Sequence, residues 1–404
     1  MIFVGVDWSE THHDVCVMDA DGKVLAKGRV PEGVEGVARL HEMVSAHAEG
    51  PSDVAVGIEL DRGLLVGALV ASGYAVHAVN PLSVDRYRDR HRTSGAKSDP
   101  GDAKVLADIV RTDRHLHRQV AGDSGLAEAV KVIARAHQGL IWSRQQQLNQ
   151  LRNALREFYP AALQAFGTDL ASVDALAVLE AAPTPTQGRS LSTARIAAAL
   201  KRGGRRRGIA ERAEEIKQAL RSSQLEAPEV LSKAYGEVVR STVRIVTEMT
   251  AQIEALRREI EASFEGHPDA EILRSLPGLG SVLGARVLAE FGDDPVRYAD
   301  PKARKNYAGT SPITKASGRS KVALARFARN RRLADALEMW AFCSLSCSPG
   351  ARRYYDAHRS RGHTHRRALR SLANRWVGIL HGCLRQRERY SEQRAWPTLT
   401  EAAA

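Results

Sequence analysis

Four carboxylates, Asp7, Glu59, Asp99 and Asp102, stand where the sequence places strand ends and a helix start. Asp7 closes the apolar run Ile2-Phe3-Val4-Gly5-Val6, and Glu59 closes Val54-Ala55-Val56-Gly57-Ile58. Asp99 and Asp102 open a helix in Lys97-Ser98-Asp99-Pro100-Gly101-Asp102-Ala103. Their spacing puts both on one helix face, although acids in a first turn are also what a helix N-terminus favours. An unpaired charge is costly to bury, and converging acids repel unless a proton or cation intervenes. Oxygen-rich clusters suit Mg²⁺, and paired Mg²⁺ ions serve phosphodiester cleavage. Glu10, Asp14 and Asp61 are neighbouring acids that compete for the same assignment.

A second group of residues is the run Tyr307-Ala308-Gly309-Thr310-Ser311-Pro312-Ile313-Thr314-Lys315-Ala316-Ser317-Gly318-Arg319-Ser320-Lys321. Ser317 precedes a glycine and is flanked by Lys315, Arg319 and Lys321. A serine hydroxyl needs activation to act as a nucleophile, and basic side chains can orient a phosphate and offset transition-state charge. The residues alone favour a Ser-Gly turn that contacts phosphate over a catalytic serine, with Ser311 and Ser320 as rivals. Further on, Arg326, Arg329, Arg331 and Arg332 precede a helix containing Trp340, and Arg366, Arg367 and Arg370 precede Trp376. Arginine interleaved with aromatics suits phosphate contact and base stacking. The aromatics serve a core equally well, and Trp340 and Trp376 read as core.

The elements that must position these groups follow from apolar patterning and turn signals. Residues 2–7, 15–18, 23–30, 54–59 and 74–79 read as strands, and 34–47, 64–71 and 99–111 as helices. The order βββαβαβα predicts a mixed sheet with helices packed on it. It is the strand order of the RNase-H-like fold, an analogy of fold alone. From 126 to 160 the pattern becomes helical. In a second long helix, 228–265, Val239, Val246, Ile253 and Ile260 repeat every seven residues with Thr242, Met249 and Leu256 between them. The heptads fit an intramolecular hairpin with the first helix or a dimer-forming coiled coil equally. Residues 166–227 are Ala-rich, with Pro183-Thr184-Pro185-Thr186 reading as a linker and Lys201-Arg202-Gly203-Gly204-Arg205-Arg206-Arg207 as a basic loop. Leu276-Pro277-Gly278-Leu279-Gly280 looks like half of a helix-hairpin-helix, whose backbone N–H groups can hold a phosphate.

The chain of 404 residues carries a net charge of +12 and is 43% hydrophobic, enough for a proper core. Residues 301–404 hold 22 Lys and Arg against 6 Asp and Glu, so the remainder is slightly acidic and the basic excess lies in the last quarter. That asymmetry points to a nucleic-acid partner there. The four cysteines lack disulfide or zinc spacing. No signal peptide or long apolar run is evident, so a cytoplasmic protein without membrane contact is expected.

The chain resembles the DEDD-type insertion-sequence transposases, the bridge-RNA-guided recombinase family. The likeness runs through Val4-Gly5-Val6-Asp7, Gly57-Ile58-Glu59, Val79-Asn80-Pro81, Lys97 to Ala103, Leu276 to Gly280, and Tyr307-Ala308-Gly309 to Ser317-Gly318. It implies an α/β RNase-H-like (RuvC-like) domain with a mixed sheet at 1–120, a helical coiled-coil region at 121–268 with the Ala/Arg-rich insertion 166–227, a mostly α-helical transposase domain at 269–395, and a tail at 396–404. It implies that Asp7, Glu59, Asp99 and Asp102 bind Mg²⁺, with Mn²⁺ as the alternative, and that Ser317 is a catalytic nucleophile forming a phosphoserine–DNA link. Lys315, Arg319, Lys321, Arg326, Arg329, Arg331, Arg332, Arg366 and Arg367 are the expected nucleic-acid contacts. The implied partners are donor and target DNA, a structured noncoding guide RNA, and further copies of the chain, as a dimer and a tetrameric synapse in a bacterial cytoplasm, nucleoid-associated when acting. Acids and serine in separate domains imply a composite site across protomers. Glu59 is followed by Leu60-Asp61-Arg62-Gly63 where the family often has Ala-Thr-Gly, which leaves the local acid geometry open. Two rivals stand beside this reading: a junction-resolving metal nuclease with water as nucleophile, and a non-enzymatic nucleic-acid-binding architectural protein.

Overall fold

Short apolar runs separated by turn residues build the first part of the chain as a sheet. The computed structural model describes residues 1–91, 98–120, 122–317, 320–326 and 329–397. Its two compact units are Met1–Gly122 and Asp123–Ala404. The first contains strands β1 (Ile2–Trp8), β2 (His12–Met18), β3 (Val24–Pro31), β4 (Val54–Ile58), β5 (Ala75–Ala78) and the two-residue β6 (Arg118–Gln119). Its helices are α1 (Val34–Ser45), α2 (Leu64–Ala71), α3 (Pro81–His91) and α4 (Asp99–Asp113). The β2–β3 turn is made by Asp19, whose carboxylate accepts from the backbone N–H of Asp21 and Lys23, and by Gly22 at φ 86°.

The sheet order is β3-β2-β1-β4-β5-β6. β1 pairs antiparallel with β2 and β2 with β3, whereas β1–β4 and β4–β5 are parallel. The expected mixed sheet is therefore present. Its faces follow the two-residue alternation of strands. Val4, Val6, Val56 and Ile58 are fully buried in a core that also takes Leu40 and Val44 of α1 and Leu65, Val66 and Leu69 of α2. Each such burial contributes about 1.5–3 kcal/mol relative to exposure. The opposite face packs Phe3, Cys16 and Ala55 against Ala103, Leu106, Ala107 and Val110 of α4. Here two glycines set the spacing. A Cβ on Gly5 would sit 1.9 Å from the Ala103 carbonyl oxygen, and one on Gly57 would sit 2.6 Å from that of Leu106. Only glycine allows so close an approach of helix backbone to strand.

Helix α3 was not expected. Asn80-Pro81 reads as a strand stop, but Pro81 is the first residue of a helix, a position that its missing N–H favours. Asn80 Oδ1 accepts from Leu82 N at that end.

The second unit is almost entirely helical. Helix α5 (Gly125–Phe158) is followed by α6 (Pro160–Phe166), α7 (Val173–Ala181), α8 (Pro185–Ser190), α9 (Thr193–Arg202), α10 (Ile209–Leu220) and the long α11 (Glu229–Glu265). Helices α5 and α11 run antiparallel, with Phe158 stacked on Tyr235 at 5.1 Å and Arg144 donating to Thr250 further along. The heptad positions Val239, Val246, Ile253 and Ile260 are buried in this chain's own hairpin. Of the two expected uses of the heptad, the intramolecular one is what the structure contains. Segment 166–227 is no loose insertion. Its helices share a core with α5 and α11 through Leu176, Leu179, Ile196, Leu200, Ile216 and Leu220. Pro183 to Thr186 is not a linker, because Thr184 caps α8 and Pro185 is its buried first residue. In the basic loop, Arg205 donates to buried Asp174 at 2.6 Å.

The remainder comprises α12 (Ala270–Ser275), α13 (Ser281–Phe291), α14 (Pro301–Tyr307), strands β7 (Ile313–Ser317) and β8 (Ser320–Leu324), and then α15 (Arg331–Ser344), α16 (Pro349–Ser360), α17 (His365–Gln386) and α18 (Glu392–Ala395). Trp340 and Trp376 are fully buried and stack at 5.3 Å, as the core reading requires. Gly278, at φ 83°, is explained by packing: a Cβ there would lie 2.7 Å from Ser344 N of α15.

Candidate metal centre and nucleic-acid interface

The glycines that seat α4 also aim the acids. Asp7 follows Gly5 by two residues and Glu59 follows Gly57 by two, so both carboxylates belong to the face that α4 covers. The pairing Val6↔Ile58 brings Asp7 and Glu59 to the same end of adjacent parallel strands. The first turn of α4, carrying Asp99 and Asp102, meets them there. The electrostatics record the convergence. Asp7 is pushed up to about 6, first by burial and then by the charges of Asp102, Asp99, Glu59 and Asp14. Asp102 is buried, Asp7 is half-buried, and Glu59 and Asp99 are exposed.

Two arginines balance this charge. Arg88 of α3 donates to Asp102 at 2.6 Å, with its side chain 14% exposed, and also reaches Asp85 at 3.1 Å. Arg29 of β3 donates to Asp14 at 2.8 Å and lies 3.7 Å from Asp99. Asp14 pairs directly with Asp7 across β1–β2 and with Arg29 across β2–β3. Among the described residues, the group whose donor atoms lie within 4.8 Å of one another is His12, Asp14 and Asp99. The four acids expected from sequence lie at one edge of the sheet, and beside them are His12, Arg29 and Arg88, which sequence reading does not single out, and Asp14, which it holds only as a rival. The signal that finds Asp14 and His12 is register: both lie on the strand beside β1, two residues apart and on one face.

Ser317 is the last residue of β7, exposed and paired with Ser320. Lys321 is exposed on β8. Gly318 and Arg319 lie outside the described residues, and nothing is assigned to the Lys315 side chain. At the foot of the hairpin, Thr310 donates to Asn374 of α17 at 3.0 Å. There Arg329, Arg366 and Arg370 gather around Thr310 and Glu338, and Arg367 is exposed on the next position of α17. Arg326 is half-buried. Arg331 and Arg332 both lie over the Trp142 ring at 5.0 Å. Arg332 also donates to the Arg135 carbonyl at 3.0 Å, so it ties α15 to α5. No helix of the described residues is long and apolar enough to cross a membrane.

Comparison with known proteins places these features in one family. Residues 4–160, which include all four acids, match the DEDD model for IS110 elements, described as a transposase. Residues 270–356, which include Ser317, match the model described as "Transposase IS116/IS110/IS902 family". The Streptomyces coelicolor protein "Mini-circle putative transposase for IS117" is 45% identical, over 100% of this chain and 98% of its own. The IS116 protein of Streptomyces clavuligerus is 30% identical over 100% and 98%, and the IS900 protein of Mycobacterium paratuberculosis 29% over 100% and 99%. DEDD transposases depend on a divalent metal, which the oxygen-rich edge around Asp7 fits. By these matches over its full length, the chain belongs to the IS116/IS110/IS902 family of transposases, enzymes that act on DNA.

Proposed function

We propose that the protein is a site-specific DNA recombinase that excises and inserts a mobile element, with an RNase-H-like (RuvC-like) first unit as its metal-dependent half. The observation that carries this reading is the meeting of Asp7, Glu59, Asp99 and Asp102 where β1, β4 and α4 converge, expressed in the raised pKa of Asp7. Strand order β3-β2-β1-β4-β5 with only β2 reversed among these five supports the RNase-H-like assignment. The donor set fits Mg²⁺, with Mn²⁺ as the alternative: hard oxygens, mutually repelling, with Asp7 ready to ionise fully when the repulsion is relieved. Bound there, a divalent cation would offset charge developing on the scissile phosphate.

In this reading the nucleophile is Ser317. Its exposure at the turn end of a hairpin, next to the Ala316–Lys321 pair, supports that role. The Ser317 Oγ–P bond forms as the P–O bond of the DNA strand breaks. The serine proton leaves to solvent and the departing strand oxygen is protonated. The hydroxyl of the incoming strand then displaces Ser317, so no high-energy cofactor is consumed. Two duplexes cut on both strands need four serines, which supports a tetrameric synapse built from dimers. The expected nucleic-acid contacts remain Lys315, Arg319, Lys321, Arg326, Arg329, Arg331, Arg332, Arg366 and Arg367, of which Arg331 and Arg332 are partly engaged with Trp142. A structured noncoding RNA would select donor and target by base pairing, in the bacterial cytoplasm.

The test is recombination of donor and target plasmids with the element's flanking RNA supplied. Asp7→Ala abolishes strand cleavage, and Ser317→Ala abolishes the serine–DNA adduct seen on denaturing gels. Cleavage that survives Ser317→Ala assigns attack to water and makes the serine a positioning group. Recombination that survives Asp7→Ala removes the metal centre from the mechanism.

A further inference from the structure

The outward face of α15 breaks the pattern of the helices around it. Among the described residues from 264 on, every other phenylalanine and tryptophan is buried, whereas Phe342 is 55% exposed. Met339, three residues earlier and so on the same face, is 50% exposed. An exposed apolar side chain means little by itself, but Phe342 belongs to a cluster of rings. His365, the first residue of α17, makes a T-shaped contact with it at 6.4 Å. Tyr355 of α16 makes a second T-shaped contact, with His365, at 5.8 Å. Tyr355 Oη and His365 Nδ1 are 2.7 Å apart, which fixes the imidazole. Three helices thus bring three rings to one surface. A T-shaped contact takes at most one face of a ring, so the exposed Phe342 keeps a face for a further planar group.

The charge beside the rings selects that group. Glu338 lies one turn before Phe342 on α15, and Arg366 directly follows His365. These two residues line one small cleft with Arg329 and Arg370. Three guanidiniums against one carboxylate leave the border of the rings positive, and exposed Arg367 adds to it. On the Tyr355 side, Arg352 and Arg359 are also exposed. Arg352 Nε donates to Asp356 at 2.8 Å and Arg359 Nη1 to the His363 carbonyl at 2.6 Å. A guanidinium has five N–H donors, so one such bond does not preclude a phosphate contact. Rings with an open face and an arginine border suit a single strand, which offers a base face and a phosphate together. A duplex keeps its base faces stacked inside.

We propose that Phe342, with His365 and Tyr355 behind it, is a stacking platform for an unpaired base of a single-stranded nucleic acid, whose phosphates follow the neighbouring arginines. This rests on the reading that the basic last quarter binds nucleic acid, and on neither the carboxylates of the first unit nor the role of Ser317. Unpaired DNA and an RNA loop offer the same chemistry.

Binding by the full-length protein is measured by anisotropy for a single-stranded DNA, the RNA of the same sequence, and the DNA duplex. Fluorescence of an aminopurine placed within each single strand reports stacking directly. The variants are Phe342→Ala, Phe342→Leu, Phe342→Trp and, as a control on the exposed start of α11, Val230→Ala. We expect Phe342→Ala and Phe342→Leu to weaken single-strand binding about fivefold or more and to abolish aminopurine quenching. Phe342→Trp restores both, and Val230→Ala and duplex binding are unchanged. An abasic site at the quenched position weakens wild type as much as Phe342→Ala does, with no further loss when the two are combined. Tighter binding of RNA or of DNA identifies the source of the strand. If the wild type binds duplex and single strands but Phe342→Ala binds single strands equally well, the nucleic-acid reading stands and the platform alone is overturned. If the wild type binds neither, that reading fails and the platform with it. Equal loss in Val230→Ala, or full activity of Phe342→Leu in both assays, also overturns it. Reduced self-association of Phe342→Ala with unchanged strand binding assigns the face to a second copy of the chain instead.

Discussion

Asp7 shows how one residue records the purpose of its surroundings. Burial and four neighbouring carboxylates raise its pKa from 3.8 to about 6. An acid raised in the folded state contributes stability that is full below its unfolded value and lost as pH rises through the folded one. The first unit therefore gives up stability between pH 4 and 6, on the order of 1 kcal/mol for this half-exposed group once solvent screening is allowed for. Asp7→Asn should raise the thermal midpoint at pH 7 in chelator-containing buffer, and the gain should vanish near pH 4. Adding Mg²⁺ at pH 7 should stabilise wild type and leave Asp7→Asn unmoved. A variant midpoint at or below that of wild type in chelator at pH 7 would contradict the repulsion.

At the scale of elements, the two strand glycines decide whether α4 can deliver its acids. Gly57→Ala places a methyl 2.6 Å from the Leu106 carbonyl and 2.8 Å from Val110 Cγ1. Overpacking of this kind costs about 1–3 kcal/mol. Because α4 must lift, Mg²⁺ stabilisation should shrink together with the thermal midpoint. A Gly57→Ala protein with wild-type Mg²⁺ response would show that α4 does not set the acid geometry. A different element junction depends on charge. Glu290 of α13 is buried, accepts two hydrogen bonds at 2.8 Å from Arg135 of α5, and one at 2.6 Å from Asn330, the cap of α15. Burial pushes its carboxyl up, but those bonds outweigh it and hold it below the usual carboxylate range. Glu290→Ala removes a buried carboxylate that joins the partly exposed Arg135 to the Asn330 cap and should cost about 1.5–3 kcal/mol in denaturant unfolding of the second unit. A cost within 1 kcal/mol would mean that Arg135 finds solvent instead.

Much of this arrangement is legible before any coordinates. Five strands announce themselves because each is a short apolar run bounded by turn residues. Asp7 and Glu59 stand out because an acid at the end of such a run breaks its pattern. What sequence did not reveal is of three kinds. The hairpin β7–β8 has no alternation to detect, since β8 is exposed along its whole length. Helix α3 hides behind Asn80-Pro81, a pair that serves a strand end and a helix start equally well. The Arg29 and Arg88 partners depend on register and on helix docking, which no local pattern encodes. Glycine was read for turns, whereas at Gly5 and Gly57 its use is to admit another backbone.

For the whole molecule, charge is divided as the chemistry is. The carboxylates that converge lie in the first unit, while the basic excess lies in residues 301–404 of the second. A surface of this kind binds polyanions chiefly by releasing counterions, which carries little sequence information. If guide RNA supplies the choice of site, the protein alone should bind two unrelated duplexes with equal affinity. Anisotropy titrations between 50 and 300 mM salt should give a linear fall of log K with log salt for both. Arg366 and Arg367 stand exposed at the start of α17, beside the foot of the hairpin that carries Ser317. Replacing both with alanine should flatten that slope by about 2, one phosphate contact each, and weaken the two duplexes alike. A protein that discriminates strongly between the duplexes without RNA would place sequence choice in the chain itself. An unchanged slope would move the DNA track away from the start of α17.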